Sequence, residues 1–73
     1  MVFCLKKETR LLREAVFEQL PYSRQEKRKK LLAARNILWT ISTEIAFGEK
    51  DQQKLLSYFE EALELFFCAN QCE

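Results

Sequence analysis

The residues best suited to recognition chemistry in this chain are four consecutive cations, Lys27, Arg28, Lys29 and Lys30, with Arg24 and Arg35 on either side. Clustered ammonium and guanidinium groups attract phosphates or carboxylates, and binding of that kind weakens steeply with salt. The run stands at the start of a predicted helix, where the positive end of the macrodipole opposes each charge by roughly 0.3 kcal/mol or more. An acidic surface would compensate for this, and it belongs either to the chain itself or to a partner. The same four residues also fit a nuclear-import signal, a pattern of low specificity.

The acidic counterpart within the chain is Glu60, Glu61 and Glu64. Paired carboxylates can serve as acid and base, but on a helical spacing these also read as an ordinary solvated face. The chain has no histidine, so a cysteine nucleophile lacks its usual base, and a single glycine leaves no loop to cradle phosphate. Cys4, Cys68 and Cys72 form neither a disulfide framework nor a paired C-x-x-C knuckle for zinc. The sequence thus predicts a protein that is not an enzyme and has no cofactor and no metal. Cys68 and Cys72, four residues apart, read as a partly buried thiol and a frayed one, or as a redox-sensitive contact between copies.

Three helices are expected to position these groups. Gly48 and Pro21, the only glycine and proline, fall where the apolar periodicity breaks. The first helix, 3–20, places Leu5, Leu12, Ala15, Val16 and Leu20 on one side, and Pro21 ends it. The second, 24–47, opens on Ser23 and Glu26 at the spacing of a capping box and closes on Gly48 as a left-handed cap. Its seam of Leu31, Ala34, Leu38, Ile41 and Ile45 alternates spacings of three and four, and its length is about 36 Å. Leu32, Trp39 and Ala46 form a second stripe on the same helix, in which Trp39 reads as a core filler before it reads as a platform for a ligand.

The third helix, 52–69, is capped by Asp51, and residues 70–73 are expected to fray. Leu55, Phe59, Ala62, Phe66 and Ala69 form its seam, with Leu56, Leu63 and Phe67 on one flank and Tyr58 and Leu65 on the other. These ten residues span about 200° of the helical wheel, more than one neighbouring helix covers. Either the helix lies in a groove between the other two or it forms the centre of a homodimer. The fold class predicted is all-α: a single domain, 1–73, of three helices running up and down, dimerising into a larger bundle.

Composition narrows the class further. A 73-residue chain buries only about 60% of the surface its unfolded form exposes, so its core is marginal and association would help it. The net charge of +1 conceals a division along the chain. Residues 1–35 hold ten cations and four acids, whereas residues 36–73 hold two cations and seven acids. That asymmetry either fixes the register of an antiparallel pair or keeps a basic face for an acidic partner. The most apolar stretch, 55–69, carries three glutamates, so no membrane span is expected. Charge at Lys6 and Lys7 interrupts any signal-peptide core, and a cytoplasmic protein is expected.

Two functional readings follow. The first is a small regulatory or adaptor protein acting through helix-bundle contacts with a protein partner, using Trp39, Tyr58, Phe59, Phe66 and Phe67. The second is a dimeric nucleic-acid-binding regulator using Arg24, Lys27, Arg28, Lys29, Lys30 and Arg35. Lys6, Lys7, Arg10 and Arg13 would extend that basic patch if the first helix packs alongside the second.

Overall fold

The computed structural model describes residues 4–71. Within them the chain is helical apart from its connections: α1 is Leu5–Gln19, α2 is Gln25–Ala46 and α3 is Gln52–Gln71, with a 3₁₀ turn at Leu20–Tyr22. These bounds differ by one or two residues from the expected 24–47 and 52–69, and the expected start of the first helix at residue 3 lies outside the described residues. The expected fraying of 70–73 is corrected in part. Helix α3 runs on to Gln71, and the Asn70 side-chain amide donates to the Phe66 carbonyl at 2.9 Å. Cys72 and Glu73 lie outside the described residues.

The link from α1 to α2 departs from the expected capping box. Leu20 keeps helical geometry (φ −53°, ψ −47°) although a proline follows, and Pro21 sits in the first turn of the 3₁₀ segment, where its missing N–H costs nothing. The tighter turn sends the Ser23 amide to the Leu20 carbonyl at 3.2 Å and not to the Gln19 carbonyl, its partner in an α-helix. The Ser23 hydroxyl donates to the Gln19 carbonyl at 2.6 Å. Ser23 therefore closes α1 and does not cap α2. The N-cap of α2 is Arg24, without a side-chain cap bond, and no box with Glu26 forms.

The second connection is a five-residue loop, Phe47–Asp51, and it turns α3 back antiparallel to α2. Gly48 takes φ +89°, donates to the Ile45 carbonyl at 3.0 Å, and lets the Glu49 amide reach the Glu44 carbonyl at 2.9 Å. These two bonds are the Schellman closure of a helix. Asp51 caps α3 as its sequence position predicts, accepting from the Lys54 amide at 3.2 Å.

Leu31, Ala34, Leu38 and Ile41 of the α2 seam are buried, as are Leu12 and Val16 of α1 and Leu55, Phe59, Ala62 and Ala69 of α3. Both outer helices pack on this one seam of α2, and α1 touches α3 least. The spine of the molecule is thus α2, while α3 neither lies in a groove between the other two nor has its whole apolar arc covered. The second stripe of α2 stays open: Leu32 is half-buried, Ala46 is exposed, and Trp39 keeps 67% of its surface, contrary to its reading as core. The protein measures 37 × 26 × 17 Å, the longest dimension being close to the length of α2. Among the described residues no helix is long and apolar enough to cross a membrane.

Candidate interaction surface on α1 and α2

On α1, Lys6, Arg10, Arg13 and Phe17 recur at spacings of four, three and four, which aligns them on one side of the helix. On α2, Arg28, Arg35, Trp39 and Ser42 recur at seven, four and three and align likewise. Antiparallel packing brings the two rows together. An Arg13 guanidinium nitrogen lies 3.5 Å from the Ser42 hydroxyl, and the Arg35 guanidinium carbon lies 5.9 Å from the centroid of the Phe17 ring. Arg13, Phe17, Arg35 and Trp39 line one shallow pocket of about 220 Å³. A larger cleft of about 390 Å³ continues the face toward the start of α1, between Lys6, Lys7, Arg10 and Arg13 on one side and Ser42 and Ile45 on the other.

The acids of these two helices lie elsewhere. Glu26 and Glu44 fall on the opposite side of α2, and on α1 the nearest acid, Glu14, lies about 40° outside Arg10 on the wheel. The division of charge along the sequence therefore becomes a division by face. Cations on this face are interleaved with two accessible aromatics, Trp39 and Phe17, the latter 49% exposed. An exposed aromatic between guanidinium groups offers apolar contact and charge-assisted hydrogen bonds together.

The predicted site residues do not gather at one place. Phe59 is 8% exposed and belongs to the core, while Tyr58 and Phe66 are half-buried against it. Phe67 is exposed on α3. Of the expected aromatic set, only Trp39 lies on the basic face. Arg35 joins it there, held over Phe17.

The run 27–30 divides between two sides of α2. Lys30 shares a side with Ile37 and Glu44, and Glu44 pairs with Lys54 of α3 at 3.5 Å, so that side faces α3. Arg28 lies on the side toward α1 and donates to the Ser23 carbonyl at 3.4 Å. Lys27 is half-buried beside Ala15 and Tyr22, and Arg24 and Lys29 are exposed. Of the two alternatives for this run, a pairing with the chain's own Glu60, Glu61 and Glu64 does not fit the register. Counted back from the loop, residues 27–30 stand beside the last turns of α3, whereas the three glutamates stand beside residues near 34–38, roughly two turns away. The last turns of α3 carry the negative end of its macrodipole, which supplies the compensation that the start of α2 lacks.

Sequence reasoning missed Phe17 and Ser42 as members of the surface, whereas Lys6, Lys7, Arg10 and Arg13 were expected to extend the basic patch from the first helix. The signal was present in Phe17, an aromatic out of phase with the apolar side of α1 and in phase with Lys6, Arg10 and Arg13.

The fold defines a small all-helical protein of three packed helices with one face of α1 and α2 rich in arginine and aromatic rings. Comparisons with protein families, with characterised proteins and with solved structures find no match for this chain.

Proposed function

We propose that the chain is a non-enzymatic regulatory or adaptor module whose α1/α2 face binds an acidic protein segment carrying an apolar anchor. The observation that carries this reading is Trp39, exposed to solvent in one pocket with Arg13, Arg35 and Phe17. Tryptophan, tyrosine and arginine dominate the energetics of protein interfaces, and a helix laid along two others is a recurrent mode of recognition. Self-association belongs to the same reading, because a chain of this size has a marginal core.

Protein is favoured over nucleic acid on three grounds. The run 27–30 is divided between two sides of α2 and gives no continuous track for phosphates. The isoelectric point, about 7.7, is well below that of a typical nucleic-acid-binding domain. Glu60, Glu61 and Glu64, all exposed, would repel a long polyanion.

Trp39 is the only tryptophan, so its fluorescence reports directly on this face. Titration with a synthetic acidic amphipathic helix should shift its emission, with an affinity that falls at high salt. Replacing Arg13 and Arg35 by Gln, or Phe17 by Ala, should weaken binding by tenfold or more, about 1.4 kcal/mol. An unstructured oligonucleotide that binds instead, and that loses binding when Lys27 to Lys30 become Gln, would replace this reading with the nucleic-acid one.

A further inference from the structure

The face described on α1 and α2 calls for a helix that presents carboxylates next to an aromatic side chain. Such a helix occurs in the chain itself. Glu60, Glu64 and Phe67 of α3 lie at spacings of four and three, so they share one side of the helix, and all three are exposed, Phe67 by 60%. The buried seam of α3 at Leu55, Phe59, Ala62 and Ala69 fixes the direction of that side. On the wheel, Glu60, Glu64 and Phe67 lie 120° to 180° from Leu55, roughly, and therefore at the solvent pole away from α2.

The two complementary surfaces cannot meet within one molecule. The row of Arg35, Trp39 and Ser42 lies on the flank of α2 toward α1, whereas the row of Lys30, Ile37 and Glu44 lies on the flank toward α3. The acidic pole of α3 points outward beyond that second flank. One copy can offer it only to another.

We propose that a second copy of this chain docks the outer pole of its α3, Glu60, Glu64 and Phe67, on the α1/α2 face around Arg13, Arg35 and Trp39. The proposal rests on the reading of that face given above and names an occupant for it. Charge complementarity supports the choice: the excess of cations in residues 1–35 nearly equals the excess of acids in residues 36–73. The contact is heterologous, because each copy uses one surface as donor and a different one as acceptor. Such contacts leave a free surface at each end and either close into a ring or grow open-ended. Docking covers Trp39, so self-association competes with any acidic partner for the same face.

Sedimentation velocity and light scattering on the full chain, across a wide dilution series, test this. The expected result is association that grows with concentration, lessens at high salt as screening shortens the Debye length, and is lost in both Trp39→Ala and Phe67→Ala. The decisive arm mixes these two variants in equal amounts. Trp39→Ala keeps an intact α3 pole and Phe67→Ala keeps an intact α1/α2 face, so the mixture should form a discrete one-to-one dimer. Both substitutions are at exposed positions, and circular dichroism confirms that each variant is folded before mixing. A monomer at every concentration, a failure of the mixture to dimerise, or association that Phe67→Ala removes and Trp39→Ala does not would overturn the proposal. The last outcome would indicate an isologous dimer through α3. Titrating the monomeric Phe67→Ala variant with the acidic peptide tests the earlier reading separately, since it retains Trp39.

Discussion

Arg35 holds its guanidinium carbon 5.9 Å from the centre of the Phe17 ring, and through that contact a cation of α2 is seated on an aromatic of α1. The pair lies on the surface, where a cation–π contact contributes about 0.5–1 kcal/mol. A double-mutant cycle with Phe17→Leu and Arg35→Gln, read from urea unfolding midpoints, should give a coupling of about that size. Arg35→Lys should keep part of it, because an ammonium retains the charge and loses the planar stacking. Fully additive single effects would mean that the two side chains do not stabilise each other.

Lys54 spans the closure of the α2/α3 hairpin, with its ammonium 3.5 Å from a carboxylate oxygen of Glu44 and 3.5 Å from one of Glu49. Those glutamates occupy the two positions whose backbones close the Schellman motif, where a hydrophobic contact is usual. An ionic clamp stands in its place. The Asp51 amide and then Lys54 hold the Glu49 carboxyl below its ordinary value of 4.5, and Glu44 and then Glu49 hold the Lys54 ammonium above its ordinary 10.5. A depressed carboxyl stabilises the fold above its unfolded value, and that contribution goes as pH falls through the lower folded value. A raised ammonium stabilises below its unfolded value, and that contribution goes as pH rises through the higher folded value. Lys54→Met should therefore lower the urea midpoint slightly near neutrality. The difference from the unsubstituted chain should shrink below pH 4.5 and above pH 10.5. High salt should reduce it as well, since Lys54 is exposed and both glutamates are only partly buried.

The helices and their punctuation were legible because single residues of unusual backbone preference, Pro21 and Gly48, stand between long periodic runs. The buried seam of α2 was legible for the same reason, since Leu31, Ala34, Leu38 and Ile41 keep one phase through the helix. The capping role of Ser23 was not. Its spacing to Glu26 fits a box, but the 3₁₀ turn around Pro21 brings the hydroxyl to the Gln19 carbonyl, and that nearer acceptor takes it. The exposure of Trp39 was not legible either. A helical wheel shows two apolar stripes on α2 and does not show which one its neighbours cover; the answer depends on both α1 and α3 packing on the first stripe. The candidate surface combines rows from two helices, so it required the α1/α2 register, which Arg13 and Ser42 reveal only once folded.

Gly48 separates backbone cost from packing cost. Its φ of +89° is disfavoured for any residue with a Cβ, yet a Cβ built there meets nothing within 4 Å. Gly48→Ala should thus cost only the left-handed strain, about 1–2 kcal/mol. Gly48→Asn should cost less, because asparagine tolerates this region. Thermal unfolding of the two variants checks the order, and an asparagine variant no more stable than the alanine one would contradict it.

Leu38 carries the opposite kind of cost. It is fully buried in the seam that both outer helices share. Leu38→Ala should lose about 2–5 kcal/mol through transfer and cavity terms together. That is a large part of the ~5–15 kcal/mol typical of small proteins, and smaller domains tend toward the lower end. Circular dichroism at 25 °C should show a substantial unfolded population. The exposed Phe67→Ala should change stability by only about 0.5 kcal/mol or less.

Thr9 is the one buried polar residue among the described ones, 1% exposed, and its hydroxyl has no hydrogen-bond partner within the protein. It sits where α1 meets α2, beside the cleft that also takes in Arg13, Ser42 and Ile45. An unsatisfied buried hydroxyl costs about 1–3 kcal/mol, and replacing it by a methyl of similar volume removes that cost without opening a cavity. Thr9→Val should therefore stabilise the fold by about 1 kcal/mol, which corresponds to roughly 4–8 °C in Tm for a domain of this size. Thr9→Ser provides the control, since it keeps the hydroxyl and removes the methyl, and it should be less stable than the unsubstituted chain. The expected order in thermal unfolding is Val above Thr above Ser. A valine variant that melts below threonine would show that the hydroxyl contributes a bond on which the α1/α2 contact depends.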